Sequence, residues 1–252
     1  MTRRQINCDP RTAQEAKIQL VLGSRILVRE GLLDCFGHIS VRNPENPNTF
    51  LQSRSLSAEL VTPDDIIEID FNGEVVCGPP GVKPYWERFL HARILAARPD
   101  INSVYHGHPN VLIPFTVMPD VPLLPLLNCG GIFYNGYGYY SSEPGSDMTV
   151  KTLEEGDKVA QALGDKWAVL MRSHGVTAGA GNVPQIVLDM LSMVRNAAVN
   201  LECLKIGKPA LCCTPEEGAA YRGSHHQEGP LMRNWEYYVN RAKTAMPDIA
   251  GL

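Results

Sequence analysis

The 252-residue chain has no apolar run long enough to cross a bilayer. Its hydrophobic stretches are short and broken by charge, glycine or proline, which excludes a transmembrane helix. Net charge is also scarce: 23 lysines and arginines stand against 27 acidic residues, a balance of -4, so no basic field exists to hold nucleic acid. Residues 1–8 carry two arginines with no apolar stretch behind them, and neither a secretory signal nor a membrane anchor is expected there. The seven cysteines are odd in number and form no C-x-x-C pair, a usage suited to a reducing cytoplasm, where the protein is expected to reside. Cys212 and Cys213, being adjacent, point in different directions and read as small buried apolar residues rather than a redox or soft-metal site. Repeats and low-complexity segments are missing too. Gly179-Ala180-Gly181 lacks the rest of a dinucleotide-binding G-x-G-x-x-G, and Asn182 with Pro184 reads as ordinary helix initiation.

What is present is enough for one large domain over residues 1–252, with no composition shift that demands a second. Ile18, Val21, Leu22, Ile26, Leu27 and Leu32 recur at helical spacing, predicting an opening amphipathic helix over residues 11–33 that ends near Gly31. Segments 38–42, 49–52, 66–70 and 74–77 are rich in β-branched and aromatic residues, and Asn72-Gly73 marks a hairpin between the last two. An antiparallel meander is the expected start of the sheet. Helices are predicted over 86–97, 149–163 and 184–206, with a last one near 235–245; strands are predicted over 102–106, 167–171 and 176–180, and a short element over 110–117. Residues 134–146, with Tyr134, Tyr137, Tyr139 and Tyr140 among glycines, read as a long functional loop.

Chemistry concentrates at three histidines. His106 and His108 are spaced one residue apart at the end of a predicted strand, where side chains two residues apart share a face. His174, from Ser173-His174-Gly175 between two later strands, would complete a three-nitrogen site with an open coordination position, the arrangement a catalytic metal needs. Taken singly, each histidine is more often a hydrogen-bonded structural residue than a ligand. Glu87 opens a predicted helix shortly before the H-x-H strand; it reads either as a cap stabilised by the helix dipole or as a metal ligand or proton carrier. His91 lies four residues on, on the same helical face, and is expected to be buried between that helix and the sheet.

Gly37-His38-Ile39-Ser40, Glu87 with His91, Arg98-Pro99-Asp100, His106 with His108, and His174-Gly175 occur in the order and approximate spacing of the class II aldolase/adducin family, which the chain resembles from about residue 15 to 205. The resemblance implies an α/β fold, a three-layer α/β/α sandwich around a mainly antiparallel sheet; beyond its reach, a C-terminal helical extension is expected from about residue 210. It also implies a homotetramer with sites at subunit interfaces, and a divalent cation on His106, His108 and His174 with Glu87 as ligand or acid/base. Zinc or manganese suits such donors, with iron or cobalt as alternatives.

Against the family's sugar-phosphate aldolases, His38 stands where an asparagine is usual, Ser53-Arg54-Ser55 lies near the second phosphate-binding segment, and Tyr85-Trp86 replaces a pair of serines. Bulky aromatics leave little room for a phosphate. Arg54 offers a fork for a carboxylate, His38 and Ser40 can donate to an anion, and Tyr85 or Trp86 can pack on a flat ring. This pattern resembles the family's decarboxylase branch, implying a metal-dependent decarboxylase for a hydroxylated aromatic or pyridine (di)carboxylate in aromatic or heterocycle catabolism. A metal-dependent aldolase for a non-phosphorylated hydroxy acid or sugar acid is the first alternative, and a non-catalytic adducin-like interaction module the second. One of the four loop tyrosines is expected to assist the chemistry. Segment 225–238 is expected to dock the last helix through Trp235 and Tyr238, or else to complete a neighbour's site.

Overall fold

A computed structural model describes residues 8–208 and 210–252. The reading of the first residues as neither signal nor anchor lies outside these. The chain opens with α1 (Ala13–Arg29), capped by Thr12, whose side chain accepts from the Glu15 N–H. The helix ends four residues earlier than its apolar spacing suggests, and Gly31 takes the left-handed backbone (φ +75°) that turns the chain away. Strands β1 (His38–Asn43), β2 (Asn46–Ser53), β3 (Ile66–Asp70) and β4 (Val75–Cys77) then form the expected antiparallel meander. At its last turn only Gly73 has a positive φ, and its N–H bonds to the Asp70 carbonyl while Asp70 N–H bonds to Glu74. The hairpin therefore has a three-residue loop with a bulge-forming glycine, not a two-residue Asn-Gly turn.

After α2 (Arg88–Ala97) come β5 (Ser103–Gly107), the short α3 (Ile113–Val117) and a 3-10 segment (Asn128–Phe133). Next are β6 (Gly138–Tyr140), α4 (Leu153–Leu163), β7 (Ala168–Met171) and β8 (Gly175–Ala180). The long α5 (Val183–Ile206), capped by Asn182 and stopped by Gly207 at φ +69°, leads to α6 (Pro215–His225) and α7 (Glu228–Ala245). The strands form one eight-stranded sheet in the order β4-β3-β2-β1-β5-β8-β7-β6. All its described pairings are antiparallel except β6 with β7.

Alternation along the strands builds a core on each face of the sheet. Ile39, Val41, Tyr105, Ala168, Leu170, Val176 and Ala178 pack with α1, α5 and α7. Val104, Val169, Met171, Phe50 and Ile69 face the other way, toward Leu90, Ile94 and Leu95 of α2 and Val159 and Leu163 of α4. The result is the three-layer α/β/α sandwich expected from the sequence.

Three readings need correction. Residues 134–146 are not all loop, because Gly138–Tyr140 forms β6 at the sheet edge. The helical extension expected from about residue 210 is two helices, α6, which was not placed individually, and α7, which starts seven residues before Trp235. Cys212 is exposed and Cys213 only partly covered, so neither fills core space; the chain around them is irregular and lies on the surface. As expected, Trp235 docks α7, buried in the same core cluster as α1 and α5. α6 is locked by a buried ion pair in which Arg222 Nη1 donates to Asp189 of α5 at 3.1 Å, with His226 Nε2 donating to the same carboxylate at 2.7 Å. No described helix is long and apolar enough to cross a membrane.

Candidate metal centre and active-site cavity

The H-x-H spacing places its first histidine on the strand and its second just beyond it. His106 follows Val104 by two residues and so shares its face of β5, toward α2, and His108 follows the strand's last residue, Gly107. His174 projects from the β7–β8 turn, in which its N–H bonds to the Met171 carbonyl and Ser173 is held at φ +54°. A left-handed serine costs on the order of 1–2 kcal/mol, which the surrounding sheet must offset to aim His174. Glu87 stands at the N-cap of α2 but makes no capping hydrogen bond. Its carboxylate turns instead to the histidines, with Oε2 at 3.1 Å from His106 Nε2 and Oε1 at 3.6 Å from His174 Nε2, while Oε1 accepts the Val150 N–H at 3.3 Å. The capping reading of Glu87 is thereby set aside. One donor atom from each of Glu87, His106, His108 and His174 lies within 4.8 Å of the others.

Supporting contacts decide which ring nitrogens face inward. Thr177 sits opposite His106 in the β5–β8 register and donates its hydroxyl proton to Met171 Sδ at 3.2 Å, so its oxygen is left to accept from His106 Nδ1 at 3.0 Å. The His106 Nε2 lone pair then points at the cluster, buried and without a hydrogen-bond partner. His108 Nδ1 lies 3.2 Å from Asp34 Oδ2 and 3.3 Å from Oδ1, which orients its Nε2 the same way. A carboxylate or hydroxyl behind a ligating imidazole fixes its tautomer and raises its basicity. Asp34 in turn accepts the N–H groups of Phe36 and Gly37, each at 2.9 Å. Partial burial opposes its ionisation, but these bonds and His108 outweigh it and hold the carboxyl below its usual range.

Burial pushes His174 down to about 4, helped by His106, and pushes His108 down as well. For Glu87 burial works in the opposite sense, yet the neighbouring histidines overcome it and keep the carboxyl well below the normal carboxylate range. Neutral imidazoles and an ionised carboxylate are the protonation states that bind a metal. An orphaned nitrogen lone pair 3.1 Å from a carboxylate oxygen needs a positive centre between them. The four residues therefore fit a divalent cation.

Glu87, His108 and His174 of the cluster line a cavity of ≈ 590 Å³, whose walls also include His38, Tyr85, Trp86, Phe36, Ser55, Ser57 and Thr149. The His38 and Tyr85 rings pack at a 41° tilt with centroids 4.2 Å apart, while Phe36 and Trp86 are 70% and 69% exposed at the cavity mouth. Of the expected substrate contacts, the structure brings His38, Tyr85 and Trp86 together with Glu87 in the cavity wall. Ser40 is fully buried behind His38 and bonds to His91 rather than lining the cavity. Arg54 is not among the lining residues either; its Nε is committed to Asp65 at 2.8 Å. None of Tyr134, Tyr137, Tyr139 or Tyr140 lines it, and Tyr139 donates to the Thr116 carbonyl. Asp34, Thr177 and the Val150 N–H went unforeseen. For Asp34 the available signal was an acid three residues before Gly37, the pattern of a side chain bonding its own following backbone.

The family described as Class II Aldolase and Adducin N-terminal domain matches residues 18–201. The chain belongs to that family. The decarboxylase tropJ of Talaromyces stipitatus is 28% identical over 247 residues, covering 89% of this chain and 92% of its own length. A 3,4-dihydroxyphthalate decarboxylase of Arthrobacter keyseri is 30% identical over 217 residues, covering 79% and 82%. A solved aldolase II superfamily protein from Pseudomonas syringae superposes with a TM-score of 0.79 at 22% identity over 96% of each chain, a likeness of fold. In this class II aldolase/adducin domain the family match stops within α5, so α6 and α7 lie beyond it.

Proposed function

We propose that the protein is a metal-dependent carboxy-lyase acting on a hydroxylated aromatic or pyridine carboxylate or dicarboxylate in aromatic or heterocycle catabolism. The observation that carries this reading is the cavity wall. Facing the four-donor cluster are the aromatic rings of Tyr85, Trp86 and Phe36 with the hydroxyls of Ser55, Ser57 and Thr149, and no lysine or arginine is among the described lining residues. Such a wall suits a flat ring and offers no cation to a phosphate. The names of the two decarboxylase relatives support the same class.

Glu87, His106, His108 and His174 would hold the cation, with zinc or manganese favoured by the donor set. When bound, it supplies Lewis acidity to a chelating hydroxyl and carboxylate pair. Tyr85 and Trp86 hold the ring against the cluster, and His38 meets an anionic oxygen. With substrate chelated, the three histidines would keep the cation and Glu87 would act as the proton carrier, taking the proton of the ring hydroxyl and returning it to the ring carbon that CO2 leaves. The exposed Phe36 and Trp86 at the cavity mouth support a homotetramer in which a neighbour covers them, and the seven free thiols fit a cytoplasmic location.

Metal content of the purified protein, followed by a CO2-release screen of ortho-hydroxy aromatic and pyridine carboxylates with added zinc or manganese, tests the reading. About one metal ion per chain and chelator-sensitive CO2 release are expected. An aldehyde product without CO2 would turn the assignment to an aldolase of a non-phosphorylated acid, and a metal-free, inert protein would point to an interaction module.

A further inference from the structure

Behind the cavity lies a buried polar chain that the reaction as described does not use. His91 of α2 is fully buried and both its ring nitrogens are engaged, Nε2 with His38 Nδ1 at 2.8 Å and Nδ1 with Ser40 Oγ at 2.7 Å. It touches neither the cavity nor the metal ligands by hydrogen bond, so its role must act through His38. Ser40 is fully buried as well, and His38, at 2% exposure, is open only to the cavity.

The direction of these bonds follows from counting protons. Two neutral histidines carry one N–H each, so either Ser40 donates to His91, His91 to His38, and His38 presents Nε2–H to the cavity, or every bond runs the other way and His38 presents a bare lone pair. In the second case the Ser40 hydroxyl proton has no acceptor, since His91 Nδ1 is the partner of Ser40 Oγ among the described residues. A buried unsatisfied hydroxyl costs about 1–3 kcal/mol, enough to settle the choice. Neither ring has a carboxylate among its hydrogen-bond partners, so both stay neutral with one N–H each. Tyr85 packs against the His38 ring at a tilt of 41°, with centroids 4.2 Å apart, and Phe50 lies nearly parallel to His91 at 6.5 Å, so neither ring turns freely.

We propose that Ser40 and His91 are positioning residues that fix His38 as an Nε2–H donor pointing into the cavity, where it holds an anionic oxygen of the substrate beside the metal centre. This rests on the carboxylate reading of the cavity for its ligand but not for its tautomer. An imidazole of fixed tautomer recognises an anion through one directed hydrogen bond, without carrying a charge that would compete with the metal for the same oxygen.

The test is solid-state 15N NMR of zinc-loaded protein labelled at histidine, with the His38 signals assigned by their loss in His38→Asn. Wild type should show His38 protonated at Nε2. Ser40→Ala should mix the two tautomers, Ser40→Thr should restore one, and His91→Gln, which keeps an amide donor, should keep it where His91→Met does not. Binding of 2,3-dihydroxybenzoate to the zinc-loaded protein should weaken about tenfold in Ser40→Ala at unchanged zinc content. A wild-type His38 protonated at Nδ1, or a tautomer indifferent to both Ser40→Ala and His91→Met, overturns the positioning role. A wild type that does not bind the probe, or an affinity unmoved by Ser40→Ala, overturns the anion-holding role and leaves the tautomer result to stand separately. Failure of the decarboxylase reading is distinguished by normal probe binding without CO2 release.

Discussion

Replacing Asp34 by asparagine should weaken metal binding by about tenfold without unfolding the protein. The asparagine oxygen can still accept the Phe36 and Gly37 N–H groups that Asp34 accepts at 2.9 Å, so the loop leading to β1 keeps its shape. What changes is the contact with His108. Asp34 accepts from Nδ1 at 3.2 Å, whereas an amide can turn N–H groups toward it, which favours the tautomer with a hydrogen on Nε2, the atom that faces Glu87, His106 and His174. Loss of such a supporting carboxylate typically costs 10–100-fold in affinity, and because the Asp34 side chain is 48% exposed, the lower end, about tenfold or ~1.4 kcal/mol, is the expected magnitude. Chelator-competition titration with zinc measures it directly. By linkage the same ~1.4 kcal/mol should appear at saturating zinc as a melting temperature roughly 2–4 °C below wild type, while the metal-free proteins should melt together. Zinc affinity within about twofold of wild type, or a metal-free variant destabilised as much as the loaded one, would refute the reasoning.

Two further outcomes follow from the site's packing and its buried histidines. Gly175→Ala would place a Cβ 2.4 Å from the Gly107 carbonyl oxygen and 2.8 Å from His108 Cδ2, so it should cost about 1–3 kcal/mol in melting experiments and remove most bound zinc by elemental analysis; full zinc occupancy would contradict the tight approach of these two turns. In the metal-free protein, burial holds His38 at about 3 and His174 at about 4, against 6.5 in an unfolded chain. Their contribution is therefore fully present above about pH 6.5 and is lost as pH falls toward about 4 and then 3, because the unfolded chain takes up protons the folded one refuses. Thermal melts of chelator-treated protein from about pH 7 to 4.5 should show a falling midpoint, and a flat profile would count against neutral buried histidines.

Much of the fold was legible because its signals are local. The meander could be read from alternating strands and Asn72-Gly73, and α5 from Asn182, Pro184 and a long apolar repeat. β6 could not: it is three residues long and exists through pairing with β7, some thirty positions on in sequence, of Gly138 with Val169. α6 hid for another reason, since its buried positions are Gly218 and Arg222, a helical stripe with no apolar side chain to reveal it. At the centre, His106, His108, His174 and Glu87 were visible as residue types at telling spacings, whereas Arg54 misled because its partner Asp65 comes from a 3-10 turn eleven residues away. The support given by Asp34 and Thr177 depends on how β5 lies against its neighbours, which spacing along the chain does not encode.

The parallel edge strand has an effect on how this scaffold can diversify. A strand parallel to its neighbour cannot return by a tight turn, so the chain between β6 and β7 must travel back along the sheet through α4. On the way, residues 141–152 sweep past the metal centre, where Thr149 enters the cavity wall and Val150 N–H fastens to Glu87. The exposed part of that passage, around Ser142 to Ser146, is tied to neither the sheet nor the ligands. Changes of length or composition there would reshape what the cavity admits while the four donors stay in place, so new substrates could be sampled on an unchanged reaction centre.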